Sequence, residues 1–104
     1  MNTRPDVAAV LAAHGIRPGP NGYARVELEA VVEAHGWQRS VEPVVGSSGH
    51  ARPRASFRAL VTAPVAPRGS QLIGMHHTRG RGLTEEAALA LALARMLVRM
   101  AEQP

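Results

Sequence analysis

The stretch from Thr84 to Ala101, TEEAALALALARMLVRMA, constrains this chain more than any other part of it. It holds no Gly or Pro and few β-branched residues, so nothing in it opposes a long helix. Thr84 is placed to cap the first turn with its hydroxyl, and Glu85 and Glu86 set negative charge where the helix dipole favours it. At about 100° per residue, Leu89, Leu93, Met96, Leu97 and Met100 fall on one stripe, the face expected to cover a core. Ala87, Leu91, Ala94, Val98 and Ala101 form a second apolar stripe nearly opposite, with Arg95, Arg99 and Glu102 in the arc between. A helix with two apolar faces lies between two partners. One is expected to be a sheet. The other, on the side of Ala87, Leu91, Ala94 and Val98, is expected to be another helix or a second copy of the chain in a homodimer.

Composition limits what that helix can cover. The 104 residues suit one domain with one modest core. Within it, residues 1–23 form an N-terminal helix and loop, and 24–101 the main body. The apolar fraction of 45% is mostly Ala, Val and Leu, and only Tyr23, Trp37 and Phe57 are aromatic, so small aliphatics must fill the interior. The absence of cysteine removes disulfides, thiolate zinc sites and a Cys nucleophile. No run approaches the roughly 18 apolar residues of a membrane span, and no signal-peptide core is visible near Met1. A cytoplasmic protein that does not engage a membrane is expected.

Upstream of the long helix the pattern alternates between helix and strand signals. Residues 5–14, PDVAAVLAAH, read as a short helix with Pro5 at its first position, Asp6 in its first turn and Gly15 beyond its end. It is too short to stand alone and needs a tertiary surface, for which the second face of the C-terminal helix is the candidate. Residues 16–23, IRPGPNGY, are loop. Residues 24–35, ARVELEAVVEAH, place Leu28, Val31, Val32 and His35 in helical register, although Tyr23 to Ala30 also alternates as a strand would; the helix is preferred. AVLAAHGI (9–16) and AVVEAHGW (30–37) repeat one phrase 21 positions apart. Both read as helix C-termini, with His facing the negative dipole end, Gly left-handed and the next apolar residue folded back. From Trp37 the signal turns to β: strands are expected at 37–45, 52–65 and 70–78. Pro43 suits an edge strand, GSSGHA (46–51) and APRG (66–69) serve as connections, and RGRGL (79–83) leads into the last helix. In the second strand Ala55, Phe57, Ala59, Val61 and Ala63 should face the core, leaving Arg54 and Arg58 outside. The expected fold class is α+β: one or two N-terminal helices, a three-stranded antiparallel sheet and a long C-terminal helix.

Charge supplies the functional lean. Twelve arginines and no lysine give a net +4, unevenly spread. Residues 1–51 hold four Arg against five acids, whereas 52–84 hold six Arg and no acid. Such a block suits a phosphate backbone or an acidic protein surface. GMHHTRGRG (74–82) could cradle a phosphate through backbone N–H groups beside a helix N-terminus, without matching a nucleotide-binding motif. The neighbours His76 and His77 point to opposite faces of a strand and cannot chelate one ion together; one is expected to be buried and hydrogen-bonded, the other exposed. With Ser47, Ser48 and His50 lacking a nucleophile elbow and no paired carboxylates beyond Glu85 and Glu86, no catalytic set, metal site or cofactor is expected.

In its order of features the chain resembles the double-stranded RNA-binding domain. GSSGH (46–50) occupies the family's first loop, Phe57-x-Ala59-x-Val61 its second strand, and Gly80-Arg-Gly82-Leu-Thr84-Glu-Glu-Ala-Ala88 the run opening its last helix. The resemblance covers residues 24–100 and implies an α-β-β-β-α fold. The lysines with which that family grips phosphates are Glu85 and Glu86 here, with Arg79 and Arg81 just upstream. The Thr-Glu-Glu-Ala phrase is also similar to HicB-type antitoxins and small bacteriophage β-β-β-α proteins. That likeness implies a protein partner: a toxin, a nuclease or a CRISPR-type defence complex. The expected function is therefore a non-enzymatic binding protein for nucleic acid or a nucleoprotein, through His50, Arg52, Arg54, Arg58, Arg79 and Arg81. The alternative is a protein-binding inhibitor or antitoxin.

Overall fold

The computed structural model describes residues 6–20, 22–44, 56–64 and 75–102. Two short helices come first, α1 (Val7–Ala13) and α2 (Arg25–Ala34). Asp6 is the N-cap of α1, its carboxylate accepting from the Ala9 N–H at 3.2 Å, so it stands before the helix rather than in its first turn. Pro5, expected at the first helical position, lies outside the described residues. The strand alternative for 23–30 fails because it needs Val26 and Leu28 on one face: Val26 is 77% exposed and Leu28 fully buried.

The repeated phrase is one capping motif used twice. After α1, Gly15 N–H bonds the Ala12 carbonyl and Ile16 N–H the Leu11 carbonyl; after α2, Gly36 N–H bonds Glu33 and Trp37 N–H bonds Val32. This is the Schellman pattern, and it requires the left-handed φ of +80° at Gly15 and +71° at Gly36. Ile16 and Trp37 then turn inward and are buried. His14 and His35 are the two C-cap residues. The His35 ring donates through Nδ1 to the Val31 carbonyl at 2.9 Å, stacks on Trp37 with centroids 4.2 Å apart, and meets the His14 ring edge-on at 6.2 Å.

The sheet is antiparallel, β1 (Gln38–Val44), β2 (Ser56–Pro64) and β3 (Met75–Gly82), in the order β1-β2-β3. Pro43 sits on β1, an edge, where a missing N–H is tolerated. Ala59, Val61 and Ala63 are buried, Phe57 packs half-buried against the core, and Arg58 points to the other face. The loops at 46–51 and 66–69, with Ala55, lie outside the described residues. So do residues 70–74 of the expected third strand, but that strand runs on through Arg79–Gly82, which the sequence reading had assigned to a lead-in loop.

The reason is α3 (Glu85–Glu102), which lies across the sheet so closely that β3 has no room for a side chain at Gly80 or Gly82. A Cβ on Gly80 would fall 2.4 Å from the Ala88 carbonyl oxygen and 2.6 Å from the Ala92 nitrogen; one on Gly82 would fall 2.7 Å from the Ala87 Cβ. These glycines mark close backbone approach rather than a turn. Thr78, buried on the same face of β3, donates its hydroxyl to the Ala92 carbonyl at 2.7 Å. Thr84 caps α3 as expected, accepting from the Ala87 N–H at 3.0 Å. Leu89, Leu93, Met96 and Leu97 are buried, and Met100 packs against their cluster. α1 rests on α3, while α2 rests on α3 and β1, so the described helices share one face of the sheet.

Gly80→Ala should force the helix off the strand, because the clash is with backbone. The expected loss is about 1–3 kcal/mol or more, lowering Tm by roughly 4–8 °C per kcal/mol. Gly19→Ala, whose Cβ would meet its nearest atom at an ordinary 3.6 Å, should leave Tm nearly unchanged in the same thermal melt.

Candidate functional site

Strand alternation and register decide which polar side chains gather. On the face of the sheet away from the helices, three cross-strand rows form: Gln38, Thr62 and His77; Ser40, Leu60 and Arg79; Glu42, Arg58 and Arg81. His77 is exposed and sits 3.3 Å from the Thr62 hydroxyl through Nδ1, while His76, on the helix-facing side, is half-buried. Neither is fully buried, contrary to the expectation for this pair: His76 lies near the start of the described β3, ahead of Thr78 and Gly80, which α3 covers.

Arg58 and Arg81 stand directly opposite each other, a like-charge pair that by itself disfavours the sheet. Glu42, on the other flank of Arg58, forms an ion pair with it. Arg81 receives no such partner. All eight acidic side chains lie within the described residues, yet Arg79, Arg81 and Arg95 pair with none of them. Arg95, one turn after Leu91 on α3, reaches across to β3 and donates to the Arg79 carbonyl at 2.5 Å. The result is a hollow of about 410 Å³ wrapping the outer edge of β3, lined by Arg58, Arg79, Gly80, Arg81, Leu91 and Arg95. A neighbouring depression on the sheet face, about 240 Å³, includes Glu42 and is mixed in charge. The β3 hollow has no acid in its lining.

Of the residues singled out from sequence, the fold therefore brings Arg58, Arg79 and Arg81 together. His50, Arg52 and Arg54 lie outside the described residues. Arg95 was missed, since on a helical wheel it is one charge in a solvent arc and only the packing of α3 on β3 gives it a role. Within the proposed second face of α3, Ala94 is buried, Leu91 and Val98 are half-buried and Ala87 is exposed; Ala87 and Leu91 border Gly82 and Gly80. The phosphate-cradle reading of 74–82 meets a different geometry, because Gly80 and Gly82 face α3, while Gly74 lies outside the described residues. Among the described residues no group of three or more His, Asp or Glu side chains assembles as a metal site, and no helix is long and apolar enough to cross a membrane.

Glu85 does not sit free at the helix start. It pairs with Arg25, which also bonds Glu29 at 3.1 Å, and Glu29 in turn holds Arg39 at 2.5 Å. This alternating chain ties α3 to α2 and α2 to β1. The hydrogen bonds from Arg25 and then Arg39 hold the Glu29 carboxyl below its ordinary range, and the bond to Glu29 raises the Arg25 guanidinium further.

Compared with family models, curated proteins and solved structures, the chain matches none.

Because the folded-state pKa of Glu29 is depressed, its contribution to stability is present above the unfolded value of about 4.3 and is lost as pH falls through the folded value. Thermal melts of the wild type and Glu29→Gln should show a gap at pH 7 that begins to close below about pH 5 and has gone in strong acid. A gap independent of pH would place the role of Glu29 in packing.

Proposed function

We propose that this chain binds nucleic acid, with Arg79, Arg81 and Arg95 gripping phosphates at the outer edge of β3 and Arg58 in support. One observation carries the reading: Arg79, Arg81 and Arg95, none of them paired with an acidic side chain, converge on one hollow whose lining holds no acid. Guanidinium groups are planar forks suited to bidentate contact with phosphate oxygens and stay charged at any physiological pH. The like-charge apposition of Arg58 and Arg81 adds to this, since a bound polyanion relieves a repulsion that the empty surface must bear. No catalytic role is proposed, and the chemistry of the hollow is recognition of a backbone rather than of bases.

A protein inhibitor docking on an acidic surface would use the same arginines, so binding assays separate the two. Fluorescence anisotropy with labelled RNA and DNA at low salt should give binding that weakens steeply as salt rises. Arg79→Gln, Arg81→Gln and Arg95→Gln should each weaken it and reduce the log–log salt slope by about 1. Arg58→Gln, already neutralised in part by Glu42, should do less. Absence of binding to any nucleic acid at low salt would end this reading and leave the surface to an acidic protein partner.

A further inference from the structure

The arginine hollow does not end at Leu91. A second hollow of about 400 Å³ adjoins it, with Arg81 and Leu91 lining both. Its walls are of another kind: Val7 of α1, the half-buried Tyr23 of the 16–24 loop, and Ala87, Ala90 and Leu91 of α3. The first is cationic, at the β3 end; the second is apolar with an aromatic ring, at the α1 end. Resting on the proposed nucleic-acid reading, we infer that the two adjoining hollows act as one groove for a single strand, with phosphates on Arg79, Arg81 and Arg95 and an unpaired base against Tyr23.

The argument is chemical complementarity along the groove. A duplex presents phosphates outward and keeps its bases stacked and paired, so it can use the arginines but offers nothing to the apolar half. A single strand presents both, charge on its backbone and flat apolar rings free to leave the stack. Arg81, shared by both hollows, is placed where the two parts of one nucleotide diverge. The glycines of β3 matter here too: the bare Gly80 lets α3 sit close on the strand, which sets Leu91 and Arg95 beside Arg79 and Arg81. An acidic peptide matches the cationic half alone, having no repeat of flat rings with its charges.

The test compares three probes on the intact protein by anisotropy: an eight-nucleotide single-stranded oligonucleotide, a duplex of the same sequence, and inorganic polyphosphate of similar charge as competitor. The single strand is expected to bind about tenfold or more tighter than the duplex, and polyphosphate to displace it poorly. Tyr23→Leu, which keeps apolar bulk against the core, should weaken the single strand about tenfold and leave polyphosphate competition unchanged. Since Tyr23 also packs on the core, a second measurement needs no variant: photocrosslinking of a halogenated-uracil strand to the wild type should map to Tyr23 by mass spectrometry. Equal affinity for duplex and single strand, with no crosslink at Tyr23, would overturn the inference while leaving the nucleic-acid reading intact. Failure of all nucleic-acid probes at low salt would remove both.

Discussion

The close seating of α3 on β3 is the contact from which the rest of the molecule takes its shape. Two strand glycines and a helix rich in alanine let the backbones approach nearer than ordinary side chains allow, and the buried Thr78 hydroxyl bonds the Ala92 carbonyl across the seam. A core with so few aromatics has little bulk to hold layers apart, and close packing of small groups recovers contact that large side chains would otherwise supply. This seam also sets the geometry of the arginine hollow. It brings Leu91 and Arg95 of the helix beside Arg79 and Arg81 of the strand, residues separated in sequence but adjacent once the backbones meet.

Electrostatics divides the surface in two. Along α2, Arg25 and Arg39 are consumed by Glu29 and Glu85 in a chain that braces the helical layer against the sheet. At the β3 edge the arginines are left unspent. Exposed ion pairs contribute little to stability individually, and their larger effect here is on where positive charge remains available.

How much was readable from the sequence follows the range of the interactions. The long helix, its Thr84 cap and the paired endings after α1 and α2 were legible because every bond that makes them spans a few residues. The three-stranded sheet was legible through the alternation of Phe57, Ala59, Val61 and Ala63. The end of β3 was not. Gly80-Arg81-Gly82 has the composition of a loop, and only a helix lying on it makes those glycines strand residues. Arg95 escaped for a related reason: its partner, the Arg79 carbonyl, is a backbone group on another element, to which no residue type points. For the paired histidines, alternation correctly put His76 and His77 on opposite faces but could not show how far along β3 the helix reaches, and neither is deeply buried.

The sheet is short and β3 is one of its edges, with strand backbone that another chain could pair against. Two copies approaching edge to edge would each bring Arg79 and Arg81 to the seam, guanidinium against guanidinium, while Arg95 already occupies the Arg79 carbonyl. The side chains proposed to meet a polyanion are thus also the ones that would oppose such edge-to-edge pairing. A variant that removes those charges is therefore at risk of self-association, whatever the surface binds, so the charge at this edge also guards against pairing between copies.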